Sequence, residues 1–220
     1  MATLATKKIV VLLSGNGSNL QNIIDKLHNT ELNNQHIEIV AVLSNKADAY
    51  GLQRAQDAGI KHKAIISKGI SSREQYDALL SQEIDQYQPD LIVMAGFMRI
   101  LSAQFIDKYT GRMLNIHPSL LPKYQGVNTH QRAIDAGDSA HGASVHFVTE
   151  ELDSGATVLQ AKVPIFSEDS AKDLAERVLT QEHLIYPLAI QWFLSGRLSM
   201  VNNHALLDGL ILPANGYAAD

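Results

Sequence analysis

Ile9–Leu13, Ile37–Leu43 and Leu91–Ala95 are short runs with almost no polar residue. Each is too short for a buried helix and rich in branched side chains, the pattern of a parallel strand covered on both faces. Between them lie Ser18–Leu27, Ala49–Ala58 and Ser72–Tyr87, each wetter on one side, which reads as helix. Gly59 stands where a helix would end, and Pro89 just before the next strand. This rhythm predicts an α/β fold with right-handed crossovers. The second half changes character. Arg112–His117 reads as a strand closed by Pro118. Ala143–Val148 and Thr157–Val163, separated only by the loop Thr149–Ala156, are too close for a helical crossover and pair antiparallel. A long amphipathic helix follows, about Ser170–Leu194. The expected architecture is therefore an open, twisted, mostly parallel sheet with helices on both faces and antiparallel strands in the C-terminal half. No repeat, low-complexity tract or linker interrupts the chain. It reads as a single domain, 1–220, with a nucleotide-binding-like half of about 1–110 and a smaller mixed half of about 111–220.

Composition removes several classes of function. Eighteen basic and 23 acidic residues in 220 give a net charge of −5, whereas binding along a nucleic-acid backbone needs a clustered positive face. Cysteine is absent, which excludes disulfide scaffolds, thiol catalysis and Cys-based zinc sites. His130, His141, His146 and His183 show no metal-ligand spacing, so no metal is expected. His146 alternates with Val145 and Phe147 and reads as a hydrogen-bonded structural histidine, with a place near the site as the alternative. Lys7-Lys8 precede an apolar run too short for a signal-peptide core or a membrane span, and the expected location is the cytoplasm.

Three motifs carry chemistry. Ser14-Gly15-Asn16-Gly17-Ser18-Asn19 follows a buried strand and opens a helix, so its backbone N–H groups face outward where an anion binds. It lacks the Gly-Lys-Ser/Thr of a P-loop, and Leu20 stands where a dinucleotide fingerprint has its third glycine. A small phosphate fits better than NAD. In Asn115-Ile116-His117-Pro118, the period of two puts Asn115 and His117 on one face at a strand's C-terminal end, where open α/β sheets bind ligands. An amide donor beside an imidazole suits acyl-type transfer. Asp153, in an acidic turn between two strands, can orient or charge a histidine brought near it. Each motif also has a plain structural reading: an ordinary strand-to-helix turn with Ser18 as N-cap, a strand end with incidental polar residues, and a solvated hairpin turn.

Taken together, Ser14–Leu20, Ser44–Ala47, Ala95–Leu101, Asn115–Leu121 and Ser144–Asp153, in this order and spacing, resemble the glycinamide ribonucleotide formyltransferases, the folate-dependent family of purine synthesis. The resemblance runs almost end to end and implies a Rossmann-like formyltransferase fold. It implies 10-formyltetrahydrofolate as co-substrate, with Asn115, His117 and Asp153 as the catalytic trio. Gly17, Ser18 and Asn19 would hold the ribonucleotide phosphate and Glu182 the ribose hydroxyls. Arg73, Met98, Arg99, Ile100, Leu101 and Asn115, with the loop residues Thr149, Glu150, Glu151, Leu152 and Asp153, would contact the folate. Leu121–Pro122 would be cis. The expected partners are small molecules, without nucleic acid or membrane, and the chain would act as a monomer or weak homodimer. Gln125, Val127, Asn128 and Leu179 depart from the residues found in close relatives. A methionyl-tRNA formyltransferase would need a further basic domain, for which this charge leaves no room. A sugar-nucleotide N-formyltransferase stays open on residues alone.

Overall fold

The structure, a computed structural model, describes residues 5–218. It is an α/β fold with a mostly parallel sheet, antiparallel strands in the C-terminal half and six helices among the described residues. The chain forms two compact units that meet in sequence at Leu114 and Asn115.

The first unit contains β1 (Ala5–Leu13), α1 (Ser18–Leu27), β2 (Thr30–Leu32), β3 (Gln35–Ser44), α2 (Tyr50–Asp57), β4 (His62–Ala64), α3 (Arg73–Asp85), β5 (Leu91–Met94) and α4 (Ala103–Lys108). β1 pairs parallel with β3 on one side and with β5 on the other. Chain order therefore reverses at β1, and the loop after it occupies a topological switch point, where such sheets bind ligands. Ile9–Leu13 are fully buried, as a strand covered on both faces requires. In α1 the spacing of Leu20, Ile23 and Leu27 lays one apolar stripe inward. Its N-cap is Gly17, at φ 76°, so Ser18 is the first helical residue and not the cap. The chain turns there through the left-handed region, which glycine enters without steric cost. α3 starts as expected, with Ser72 accepting from Gln75 N–H. β2 and β4 were not legible in the sequence; both are three residues long and form only by pairing with β3.

β6 (Met113–His117) spans the junction of the units. The second unit continues with α5 (Thr129–Asp135), β7 (Ala140–Phe147), β8 (Thr157–Pro164), α6 (Ala171–Leu194), β9 (Leu198–Val201), β10 (His204–Leu207), β11 (Leu210–Ile211) and β12 (Tyr217–Ala218). β7 and β8 are antiparallel, as the short loop dictates. β7 starts three residues before its expected N-terminus. Gly142 lets it lie close to β8, because a Cβ there would sit 1.9 Å from Ala161 O. α6 opens on a capping box of Ser170 and Asp173 and runs through Pro187. Its buried stripe of Leu174, Val178, Ile185, Ala189 and Ile190 also contains Glu182, a carboxylate where the pattern calls for an apolar residue. β9, β10 and β11 form a separate antiparallel sheet.

A close contact in the first unit lies between α2 and β1. A Cβ on Gly51 would come within 2.4 Å of the buried Leu13 side chain. Gly51→Ala is expected to destabilise the fold by about 1–3 kcal/mol through overpacking. Urea denaturation should show a lower midpoint at an unchanged m-value.

Candidate active site

In the first unit, Ser14–Asn19 line an open cavity of about 340 Å³ together with Lys46, Ala95, Gly96 and Met98. Ser14 holds its floor. The hydroxyl donates to Asn45 Oδ1 at 2.5 Å and accepts from Met98 N at 2.8 Å, while the backbone N–H donates to Gly96 O. Arg54 clamps the loop, donating Nε to Asn16 O (2.9 Å), Nη2 to Asn16 Oδ1 (3.0 Å) and Nη1 to Gln21 Oε1 (3.1 Å). The N-cap of α1 makes no side-chain cap bond, and the partial positive charge of the helix end suits an anion. Lys46 and Arg54 were not singled out from the sequence. For Lys46 a signal existed, since it follows the C-terminal end of β3, on the ligand side of such a sheet.

The segment after β5 divides into two kinds of residue. Met98 and Ile100 are exposed apolar side chains. Arg99 stacks 4.0 Å over the Tyr76 ring, and Leu101 is buried. Burial pushes the Tyr76 phenol up to about 12, against the opposing pull of Arg99. Ser102 N–H donates to Asp77 Oδ2, so this segment packs on α3, whose first residue is the exposed Arg73.

In the second unit the geometry brings the predicted trio together. Asn115 and His117 share one face of β6, and Ile116, on the other face, is buried. His117 Nε2 lies 2.8 Å from Tyr124 O. Its Nδ1 lies 3.4 Å from Asp153 Oδ2, with both side chains nearly excluded from solvent. Asp153 adopts φ 51° and accepts from Gly126 N–H at 2.9 Å. A fourth group joins them. His146 Nδ1 is 2.8 Å from Phe147 O, and its Nε2 is 3.0 Å from Asn115 Nδ2 and 3.8 Å from Asp153 Oδ1. A carbonyl only accepts, so Nδ1 carries the hydrogen, Nε2 accepts from Asn115, and one amide N–H of Asn115 is left for a ligand. His146 is thus hydrogen-bonded, as read from the sequence, and it also lies beside Asn115, as the alternative had it.

The loop Thr149–Ala156 is tied at one end. Gln125, one of the departures, donates to Ser154 Oγ at 2.8 Å and to Asp153 O at 3.4 Å. A Cβ on Gly155 would sit 1.8 Å from Phe147 O, so only glycine lets the loop close onto β7. Glu150, Glu151 and Leu152 are exposed and Thr149 is half-buried. Glu182 is buried on α6. The Leu121–Pro122 peptide is cis. Among the described residues no group of His, Asp or Glu could hold a metal ion, and no helix is long and apolar enough to cross a membrane.

A Gly-rich loop at a sheet switch point and, in the second unit, an amide–imidazole–carboxylate cluster are features suited to a group-transfer enzyme. Residues 7–190 match the family described as Formyl transferase. The chain is 58% identical over 212 residues to phosphoribosylglycinamide formyltransferase of Escherichia coli, covering 96% of this chain and 99% of that one. It is 52% identical to the Haemophilus influenzae protein of the same name, with the same coverage. The phosphoribosylglycinamide formyltransferase structure from Coxiella burnetii superposes with a TM-score of 0.90 at 49% identity, covering 97% of this chain and 99% of that one. The chain belongs to the formyl transferase family and, within it, to the phosphoribosylglycinamide formyltransferases.

Burial sets a pH limit on the second unit. It drives the imidazoles of His141 and His146 from 6.5 down to about 4. Between those values the unfolded chain binds protons at both positions and the folded chain does not. Stability should therefore fall as pH drops from about 6.5 to 4. Denaturant titrations across this range, with His141→Asn as comparison, measure the slope; the variant should lose part of it.

Proposed function

We propose that this chain transfers the formyl group of 10-formyltetrahydrofolate to the amine of glycinamide ribonucleotide, giving formylglycinamide ribonucleotide and tetrahydrofolate in de novo purine biosynthesis. The observation that carries this reading is the convergence of Asn115, His117 and Asp153 in a nearly dry cluster, in a chain of this family. In the transfer the amine nitrogen bonds to the formyl carbon, the bond from that carbon to the folate nitrogen breaks, the amine gives up a proton and the folate nitrogen gains one. Asn115 supplies the free amide N–H to the developing oxyanion, a kind of donor worth about 10²–10³ in rate. His117, with Nε2 turned to Tyr124 O, handles the proton at Nδ1 beside the Asp153 carboxylate. Protonated there, it also stabilises the oxyanion.

Binding is assigned by unit. In the first, Gly17, Ser18 and Asn19 hold the ribonucleotide phosphate, with Lys46 at the rim of the same cavity. Met98 and Ile100 offer apolar surface to the flat folate ring, with Arg73, Arg99 and Leu101 beside them in the family's pattern. In the second, Thr149–Asp153 complete the folate contacts and Glu182 takes the ribose hydroxyls.

Turnover of the two substrates, followed by the absorbance of released tetrahydrofolate, tests the reading. Absence of turnover under conditions where the Escherichia coli relative is active would overturn it. Asp153→Asn should fold and lose roughly 10²-fold or more in kcat, and its combination with His117→Asn should be little worse than the worse single variant, because groups acting as a unit are not additive. Losses that simply multiply would remove Asp153 from the trio.

The phosphate assignment needs a probe other than Gly17, since a Cβ there would lie 2.8 Å from Gly51 Cα and disturb packing as well as binding. Lys46→Ala is expected to raise KM for the ribonucleotide about tenfold, the weight of one exposed charge-assisted contact. KM for the folate should stay unchanged.

A further inference from the structure

We infer that Asp138 is a positioning residue for the transfer, acting through Tyr124 on His117; this rests on the reading of His117 as the group that moves the proton. His117 Nε2 faces Tyr124 O at 2.8 Å. Because a carbonyl has no hydrogen to give, that ring nitrogen keeps its own, and proton exchange is confined to Nδ1, the atom beside Asp153. The carbonyl of Tyr124 thus selects which nitrogen works.

That carbonyl is held in place against a backbone cost. Tyr124 stands at φ 57°, in the left-handed region, which disfavours a bulky side chain. The side chain supplies the compensation. Its hydroxyl donates to Asp138 Oδ2 at 2.8 Å, and the adjacent Lys123 Nζ grips both oxygens of the same carboxylate at 2.9 Å. These bonds hold the Asp138 carboxyl below its ordinary range. Arg132 closes the other side, with its guanidinium 5.2 Å from the Tyr124 ring centre and Nη1 donating to Gln125 O at 2.7 Å. Asp138 is itself anchored, its N–H donating to Ala133 O at the end of α5, two residues before β7 begins. The same loop presents Gly126 N–H to Asp153 Oδ2. One short loop therefore sets both the tautomer of His117 and the placement of its carboxylate partner, and Asp138 is the bolt that fastens it.

Tyr124→Phe removes a single oxygen and leaves the ring against Arg132; Asp138→Asn removes the charge. Both are compared with the parent chain by steady-state kinetics and by ¹⁵N NMR of the histidine rings. The parent should show a His117 Nε2–H protected from solvent exchange. Each variant should lose about 5–20-fold in kcat with both KM values within twofold, and the Nε2–H signal should broaden into exchange. The double variant should be no worse than the worse single one. An unchanged kcat, a change confined to KM, or a kcat loss with the Nε2–H signal intact each overturns the inference. If Asp138→Asn does not fold, Tyr124→Phe decides alone. Failure of the proposed reaction is read separately, as a parent chain that transfers no formyl group while its His117 signal still depends on Tyr124.

Discussion

A strand covered on both faces has nowhere to be polar except at its ends, and the chemistry of this molecule follows from that constraint. β1 is apolar from Ile9 to Leu13 and the chain turns polar at Ser14, whose hydroxyl and N–H organise the loop that lines the first unit's cavity. β6 keeps Leu114 and Ile116 buried and places Asn115 and His117 at its exit, where Pro118 ends the strand. Ligand-facing groups held on strand ends inherit the rigidity of the sheet, which suits a reaction that depends on placing donors before charge develops.

Burial gives the ring hydrogens of two histidines in the second unit an assigned place. A buried imidazole that both lacked a partner and carried charge would be costly, and the structure avoids this with backbone carbonyls. Phe147 O fixes the hydrogen of His146 on Nδ1, which makes Nε2 an acceptor and orients the amide of Asn115. Tyr124 O does the equivalent for His117. Side-chain roles are thus set by main-chain atoms, and those atoms are placed by unusual backbone: left-handed Tyr124 and Asp153, and a Gly155 with no room for a Cβ. The departures near Gln125 read differently in this light. Gln125 belongs to the loop that braces Asp153 and Ser154, so a substitution from the family pattern is absorbed into the support of the site.

What could be read from residues alone was whatever depends on local pattern. The alternation of apolar runs and amphipathic stretches located the long elements, α1 with its boundaries intact, because a period of 3.6 or a doubly buried run is a property of neighbours in sequence. Elements of two to four residues, such as β2, β4 and the strands of the β9–β11 sheet, are too short to carry a period; β2, β9, β10 and β11 pair across two-residue turns with their sequence neighbours, and β4 with the distant β3. The period of two put Asn115 and His117 on one face, and the motif set pointed to the family.

The tertiary structure decided the rest. Nothing in the order of residues says that His146 stands behind Asn115, that Arg54 clamps Asn16, or that Tyr124 bonds Asp138 through its hydroxyl while its carbonyl faces His117. Those facts are distances between groups far apart in the chain. Periodicity shows which way a side chain points, but which atom waits there depends on how loops close, and that depends on single clearances such as the 1.8 Å that keeps a Cβ from position 155.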